Sequence, residues 1–142
     1  MRAIGIIGPE STGKSTLTHS LQSLLGGHAE PELARTVVEQ LGRPYTASDV
    51  LAIARRQIAR EEQLRHTLDA DTWAFFDTEL IITRVWMEVR YGYCPAFISR
   101  HIETHPMDLY LLCRPDIAWQ YDPVREHADI RPQLFDRYYM LA

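Results

Sequence analysis

The sequence predicts an α/β fold of three layers, with helices on both faces of a parallel sheet. Three observations carry that expectation. Short apolar runs rich in Ile, Phe or Leu recur at residues 3–7, 73–76 and 109–113. Stretches with apolar residues at helical spacing lie between them, and strands alternating with helices indicate a parallel sheet. Gly and Pro mark most of the joins.

Taken in order, Ala3 to Ile7 reads as a buried strand, ended by Gly8. From Gly13 the pattern becomes helical. Leu17, Leu21, Leu24 and Leu25 fall at i, i+4, i+7 and i+8, on one face of a 3.6-residue period. Gly26-Gly27 stops that helix. A second strand is expected around His28 to Leu33, then a short helix from about Thr36 to Leu41. Thr46 and Asp49 are spaced as a capping box opening a long helix, about Ala47 to Leu68. Its apolar face is expected to hold Leu51, Ala54, Ile58, Arg65 and Leu68. Arg55, Arg56, Arg60, Glu61 and Glu62 fall mostly on the other side. Trp73 to Phe76 is a buried strand that ends at Asp77, and Leu80 to Arg90 a helix. Residues 91–107 read as irregular, interrupted by Gly92, Pro95 and Pro106. Leu109 to Cys113 is another strand. A polar, Pro-bounded segment and a last helix from about Pro132 follow.

The chain of 142 residues is the size of one domain, 1–142, and needs no disulfide or metal staple. The balance is 15 Lys plus Arg against 19 Asp plus Glu, a net charge of −4, which supplies no basic field for nucleic acid. No apolar run spans a bilayer, and MRAIGIIGPE is too short in apolar residues for a secretory signal. A cytoplasmic protein without nucleic-acid or membrane partners is expected, and a reducing cytosol suits the unpaired spacing of Cys94 and Cys113. The sequence sets no oligomeric state. Asn is absent, which excludes N-glycosylation and the NKxD guanine-reading motif. Lys14 is the one lysine, against fourteen arginines.

That lysine stands in the most informative stretch. Residues 8–15 read G-P-E-S-T-G-K-S and match G-x-x-x-x-G-K-[ST] at Gly8, Gly13, Lys14 and Ser15. The match follows a strand and opens a helix, the context a phosphate loop requires. Its glycines permit the tight turn. The N–H groups of the loop, with Ser11, Thr12 and Thr16 around it, and the helix N-terminus form an anion nest for ATP. Lys14 reaches the β- and γ-phosphates, and the Ser15 hydroxyl ligates Mg²⁺.

Such a loop works with a carboxylate on a neighbouring strand. Asp77, in W-A-F-F-D-T-E-L, ends its strand where open α/β sheets place ligands. It serves either as general base for a substrate hydroxyl or as the carboxylate holding the Mg²⁺ water. Residue 78 is Thr, where hydrolytic motor-type ATPases usually carry a Glu, so transfer to an acceptor is favoured over hydrolysis. The polar segment 114–131 reads as a lid, with Arg125 and Arg131 as the arginines that meet the migrating phosphoryl group and Arg114 as a further candidate.

Taken together, GPESTGKSTL, E-L-A-R at 32–35, D-T-E-L at 77–80, D-L-Y-L-L-C-R-P-D-I-A-W at 108–119 and R-E-H…R-P-Q-L-F resemble the ribosylnicotinamide kinase domain of the bacterial NAD-biosynthesis regulator family. The resemblance covers nearly the whole chain. It implies a nucleoside-monophosphate-kinase-like fold and transfer of the ATP γ-phosphate to the 5′-hydroxyl of nicotinamide riboside. It places Glu32 and Arg35 on the substrate side and makes Asp77 the catalytic carboxylate. It matches Trp119, Asp122 and Arg125 to a W-x-x-D-x-x-R lid pattern. Two features depart from the family. Pro31, Leu33, Ile58 and Ala59 stand where its ring-stacking aromatics lie, and no aromatic falls between Tyr45 and Trp73. The family also continues into a further strand and an adenine-side loop, so a sheet lacking its last strand is expected.

Other constellations read as structural. His101 and His105 lack a third metal ligand. Cys94 and Cys113 read as small buried hydrophobes, and Trp86 and Trp119 as core rather than base-stacking residues. The stripe Arg55, Arg56, Arg60, Arg65 reads as a solvated face. The expectation is an ATP- and Mg²⁺-dependent kinase for a small nucleoside-like acceptor, nicotinamide riboside first. Its rivals are a slow ATP-hydrolysing regulatory module and a kinase for a different nucleoside.

Overall fold

The computed structural model describes residues 1–116, 118 and 130–142. Its strands are β1 (Arg2–Ile7), β2 (His28–Glu30), β3 (Trp73–Asp77) and β4 (Leu109–Leu112). Its helices are α1 (Lys14–Leu25), α2 (Leu33–Gln40), α3 (Ala47–Thr67), α4 (Leu80–Tyr91), α5 (Ala96–Thr104) and α6 (Arg131–Leu141). The strands form one parallel sheet in the order β2-β3-β1-β4. The three-layer α/β expectation holds.

Alternation along β1 builds the layers, since successive side chains point to opposite faces. Ile4 and Ile6 join Phe75 under Leu17 and Leu21 of α1. Ala3 faces the other way, with Ala74, Phe76 and Leu64 of α3. Ile7 packs there against Ile81 and Val85 of α4 and Leu134 and Tyr138 of α6. A further cluster joins α3, α4 and α5 through Val50, Ala54, Leu80, Met87 and Ile98. No helix among the described residues is long and apolar enough to cross a membrane.

The capping box at Thr46 and Asp49 forms as expected, with each side chain bonded to the other residue's backbone N–H. Four local expectations change. In α1, Leu17 and Leu21 pack on the sheet, but Leu24 and Leu25 are 80% and 47% exposed, while Lys14 and Thr18 take buried positions. The buried stripe of α3 is Val50, Ile53, Ala54, Glu61 and Leu64, one position out of phase with the expected face. Burial of Val50, Ile53 and Leu64 sets that phase, and it carries Glu61 inward to partners: Arg65 Nε donates to it at 2.8 Å and His101 Nε2 lies 3.2 Å away. The short helix starts at Leu33 rather than Thr36, which places Arg35 in its first turn. Residues 91–107 contain α5. Pro95 serves as its N-cap, and Ile98 and His101 are buried along it. The flanking prolines bound this helix; they do not exclude it.

In the arginine stripe Arg55 and Arg56 are exposed, as a solvated face requires, while Arg60 and Arg65 are half-buried. Arg60 Nε donates to Glu30 at 2.9 Å, Arg65 holds Glu61, and Arg55 lies over the Phe97 ring at 4.9 Å. His101 and His105 stack at 4.5 Å, and no group of three or more His, Cys, Asp or Glu that could hold a metal exists among the described residues.

Candidate active site

The loop from Gly8 to Ser15 connects the end of β1 to the start of α1. Gly8 has φ +145, and a Cβ there would meet the Cys113 carbonyl at 2.7 Å, so only glycine fits this close crossing. Ser11 and Gly13 also take positive φ, at 53° and 84°. Such left-handed residues turn successive N–H groups into a common concavity. Gly13 caps α1, whose first turn carries no acidic residue to oppose an anion. Lys14 is 6% exposed. Its Nζ donates to the carbonyls of Gly8 at 3.0 Å and Pro9 at 2.9 Å, which keeps the ammonium within the curve of the loop. Thr12 Oγ1 donates to the Pro9 carbonyl at 2.7 Å and braces the same turn. Thr16 is exposed on the first turn of α1.

Strand register brings the carboxylate in. Asp77 sits opposite Ile6, two residues before the loop. Ser15 Oγ donates to Asp77 Oδ2 at 2.5 Å, and Thr78 Oγ1 donates to Oδ1 at 3.2 Å. A hydroxyl and a carboxylate oxygen thus meet at the head of α1, the donor types a hard cation such as Mg²⁺ takes. Asp77 does not cap the next helix. Glu79 does, accepting the Ile81 N–H at 2.7 Å.

Two hollows that share Glu32 and Arg35 lie beside the loop, and Asp77 lines the second of them. One is lined by Lys14, Glu10, Glu32, Arg35, Tyr45 and Trp86, among others. The other runs beside Ser15, Thr18, Glu30, Glu32, Arg35 and Asp77. Glu32 and Arg35, singled out in the sequence, thus line both and lie 3.5 Å apart as an ion pair. Trp86 Nε1 donates to the Tyr45 hydroxyl at 3.2 Å, and the rings meet edge-on at 5.0 Å between centroids. Trp86 therefore packs on its neighbours and also lines the cleft. Tyr45, which the sequence did not single out, stands beside it. Arg131 opens α6 and directs a guanidinium N–H to the Glu10 carbonyl at 3.5 Å, next to the loop. Arg114 is exposed. Trp119, Asp122 and Arg125 lie outside the described residues.

Sequence reasoning also missed Glu61 and Glu79, buried, and Gln57, half-buried, polar residues whose placement depends on elements distant in the chain. Glu79 is 5% exposed behind Asp77. Burial pushes its carboxyl up to about 8, and the Glu61 charge adds to the rise, while the N–H groups of Ile81 and Leu80 oppose it. The usual value is 4.5. Between those two values the unfolded chain has released this proton and the folded chain still holds it. Stability contributed by this group is therefore present at low pH and lost as pH rises through the window. Glu79→Gln keeps an acceptor for Ile81 and is neutral throughout. Its melting temperature is expected to exceed that of the wild type by a margin that grows from pH 5 to pH 8. Parallel melting curves across that range would show Glu79 ionised in the fold.

A family model described as an AAA domain matches residues 3–140. The chain is 25% identical over 131 residues to the trifunctional NAD biosynthesis/regulator protein NadR of Salmonella typhimurium, strain LT2, covering 88% of this chain and 31% of that protein. The same identity and coverage hold for the Escherichia coli K12 protein of the same name. The chain thus spans about a third of the length of the curated relatives it matches. Among solved structures it is similar to a NadR protein crystallised in complex with NR, with a TM-score of 0.77 and 20% identity. A NadR protein in complex with NAD and AMP-PNP gives a TM-score of 0.69 and 22% identity. Each match covers 96% of this chain and 39% of the other. At these identities the two structures establish a shared fold.

Proposed function

The chain belongs to the family whose model is described as an AAA domain, and from that premise we propose that it is an ATP- and Mg²⁺-dependent kinase acting on a nucleoside-like acceptor, with nicotinamide riboside converted to its mononucleotide. The observation that carries this reading is the contact of Ser15 Oγ with Asp77 Oδ2 beside a phosphate loop, next to hollows that hold Glu32 and Arg35. Thr78 in place of a water-activating Glu favours transfer over hydrolysis.

In this reading the loop N–H groups and the α1 N-terminus hold the phosphates of ATP. Lys14 turns from the Gly8 and Pro9 carbonyls toward the migrating group and stabilises the charge that develops on it. Ser15 and Asp77 would hold Mg²⁺, which would neutralise charge on the phosphate oxygens, and Asp77 is also the carboxylate that would take the proton from the acceptor hydroxyl. Glu32 and Arg35 bind the acceptor's hydroxyl groups from the adjoining hollow, a carboxylate and a guanidinium together offering acceptors and donors. Arg131, beside the loop, meets the nucleotide phosphates. Trp119, Asp122 and Arg125 are proposed as lid residues on sequence alone. Two further facts support the substrate class. The relatives carry NAD biosynthesis in their names, and neighbours of this fold were solved with NR and with AMP-PNP.

The test is ADP release from ATP and Mg²⁺ with and without nicotinamide riboside, with Lys14→Ala as the blank. Stimulation by the riboside, with mononucleotide appearing in step, is the expected result. Slow release indifferent to the riboside would overturn the acceptor and leave a nucleotide-binding module.

A further inference from the structure

Thr78, directly after Asp77, has φ +65. A β-branched residue in the left-handed region is a genuine outlier, and such strain persists only where the surroundings over-determine it. Here it is held from two sides. The Thr78 N–H donates to the Ile6 carbonyl of β1 at 3.1 Å. The Thr78 carbonyl accepts Gln57 Nε2 of α3, also at 3.1 Å. Gln57 is fixed in turn, because Thr83 Oγ1 of α4 donates to its Oε1 at 2.6 Å. A carbonyl can only accept, so the Gln57 amide must present its NH₂ to Thr78 and its oxygen to Thr83. The line of bonds runs Thr83, Gln57, Thr78, Asp77, and Thr83, Thr78 and Asp77 are all buried. Gln57 does not line the cleft around Lys14; it borders a smaller hollow behind it, together with Asp77 and Thr78.

We infer that Gln57 is a positioning residue: by clamping the strained Thr78 main chain it aims the Asp77 carboxylate at Ser15. The inference rests on the phosphoryl-transfer reading above. Without the clamp, Thr78 relaxes toward a negative φ and the carboxylate turns with it. The α3–α4 packing rests on Val50, Ala54, Leu80 and Met87 rather than on this amide, so the fold does not depend on it.

The test compares Gln57→Leu, Thr83→Val, the double variant and Thr83→Ser, reading kcat and the KM for ATP separately. Gln57→Leu is expected to lower kcat about 10- to 100-fold, the range a misplaced catalytic group produces, with the KM for ATP unchanged. Thr83→Val is expected to cost about threefold, as for one lost hydrogen bond, and the double variant no more than Gln57→Leu alone. Thr83→Ser, which keeps the hydroxyl, should retain wild-type kcat. A second readout needs no substrate: hydrogen exchange at the Thr78 N–H is expected to accelerate in Gln57→Leu while amides in the middle of β1 stay protected. Wild-type kcat with a lowered melting temperature, additive losses, or unchanged Thr78 exchange would each overturn the inference. If the wild type transfers no phosphoryl group at all, the function reading fails, and the exchange experiment still decides the clamp.

Discussion

Lys14→Ala is expected to lower kcat by about 10²- to 10³-fold or more, the cost of removing a charge aimed at the reacting group. The reasons are local. Lys14 is the one lysine of the chain, it is almost fully buried, and its ammonium sits between the Gly8 and Pro9 carbonyls at the centre of the loop. Its burial gives the charge a low-dielectric setting where an interaction with phosphate is stronger than in water. Lys14→Arg is not expected to rescue turnover, since the broader planar guanidinium does not fit the space of a compact ammonium. Single-turnover ADP formation checks both variants, with the melting temperature recorded to show that the fold survives. Near-normal turnover in Lys14→Ala would move the chemistry away from the loop.

The second large effect is expected at Asp77. Asp77→Asn keeps the size of the side chain and an oxygen to accept the Ser15 hydroxyl, but it removes the charge and leaves one weaker donor toward a hard cation. A fall in kcat of about 10²-fold is expected, comparable with the loss of a group that stabilises developing charge. The Mg²⁺ concentration needed for half-maximal rate should rise with it. Because Asp77 is buried, removing its charge is not expected to lower the melting temperature. A rate loss without any change in Mg²⁺ requirement would assign Asp77 to proton transfer rather than to the metal side.

The parts of this molecule that a reader of the sequence can find are those written in consecutive residues. The loop is eight residues long, its chemistry demands specific types at fixed spacing, and Asp77 follows from the end of an apolar run. Glu32 and Arg35 were found through a family resemblance, and the fold places them beside the loop. What stayed hidden depends on contacts between elements far apart in the chain. Glu61 and Gln57 sit in a helix dense with charge, and only the packing of α4 and α5 against it determines which polar residues turn inward. The phase of α3 is hidden for that reason: a buried Glu satisfied by Arg65 and His101 looks, in one dimension, like any exposed Glu. The helix α5 is hidden because prolines at 95 and 106 read as breaks. The strand β2 is three residues long, below the length at which a periodic pattern can be seen.

The placement of Lys14 has a practical consequence for chemical labelling. With no other ε-amine in the sequence, an acylating reagent finds only the terminal α-amine and Lys14 Nζ, and the second of these lies inside the phosphate loop. The adduct on the peptide that carries Lys14, followed as nucleotide is added, reads occupancy of the loop. Immobilisation chemistry aimed at lysine would, for the same reason, consume the site it was meant to present.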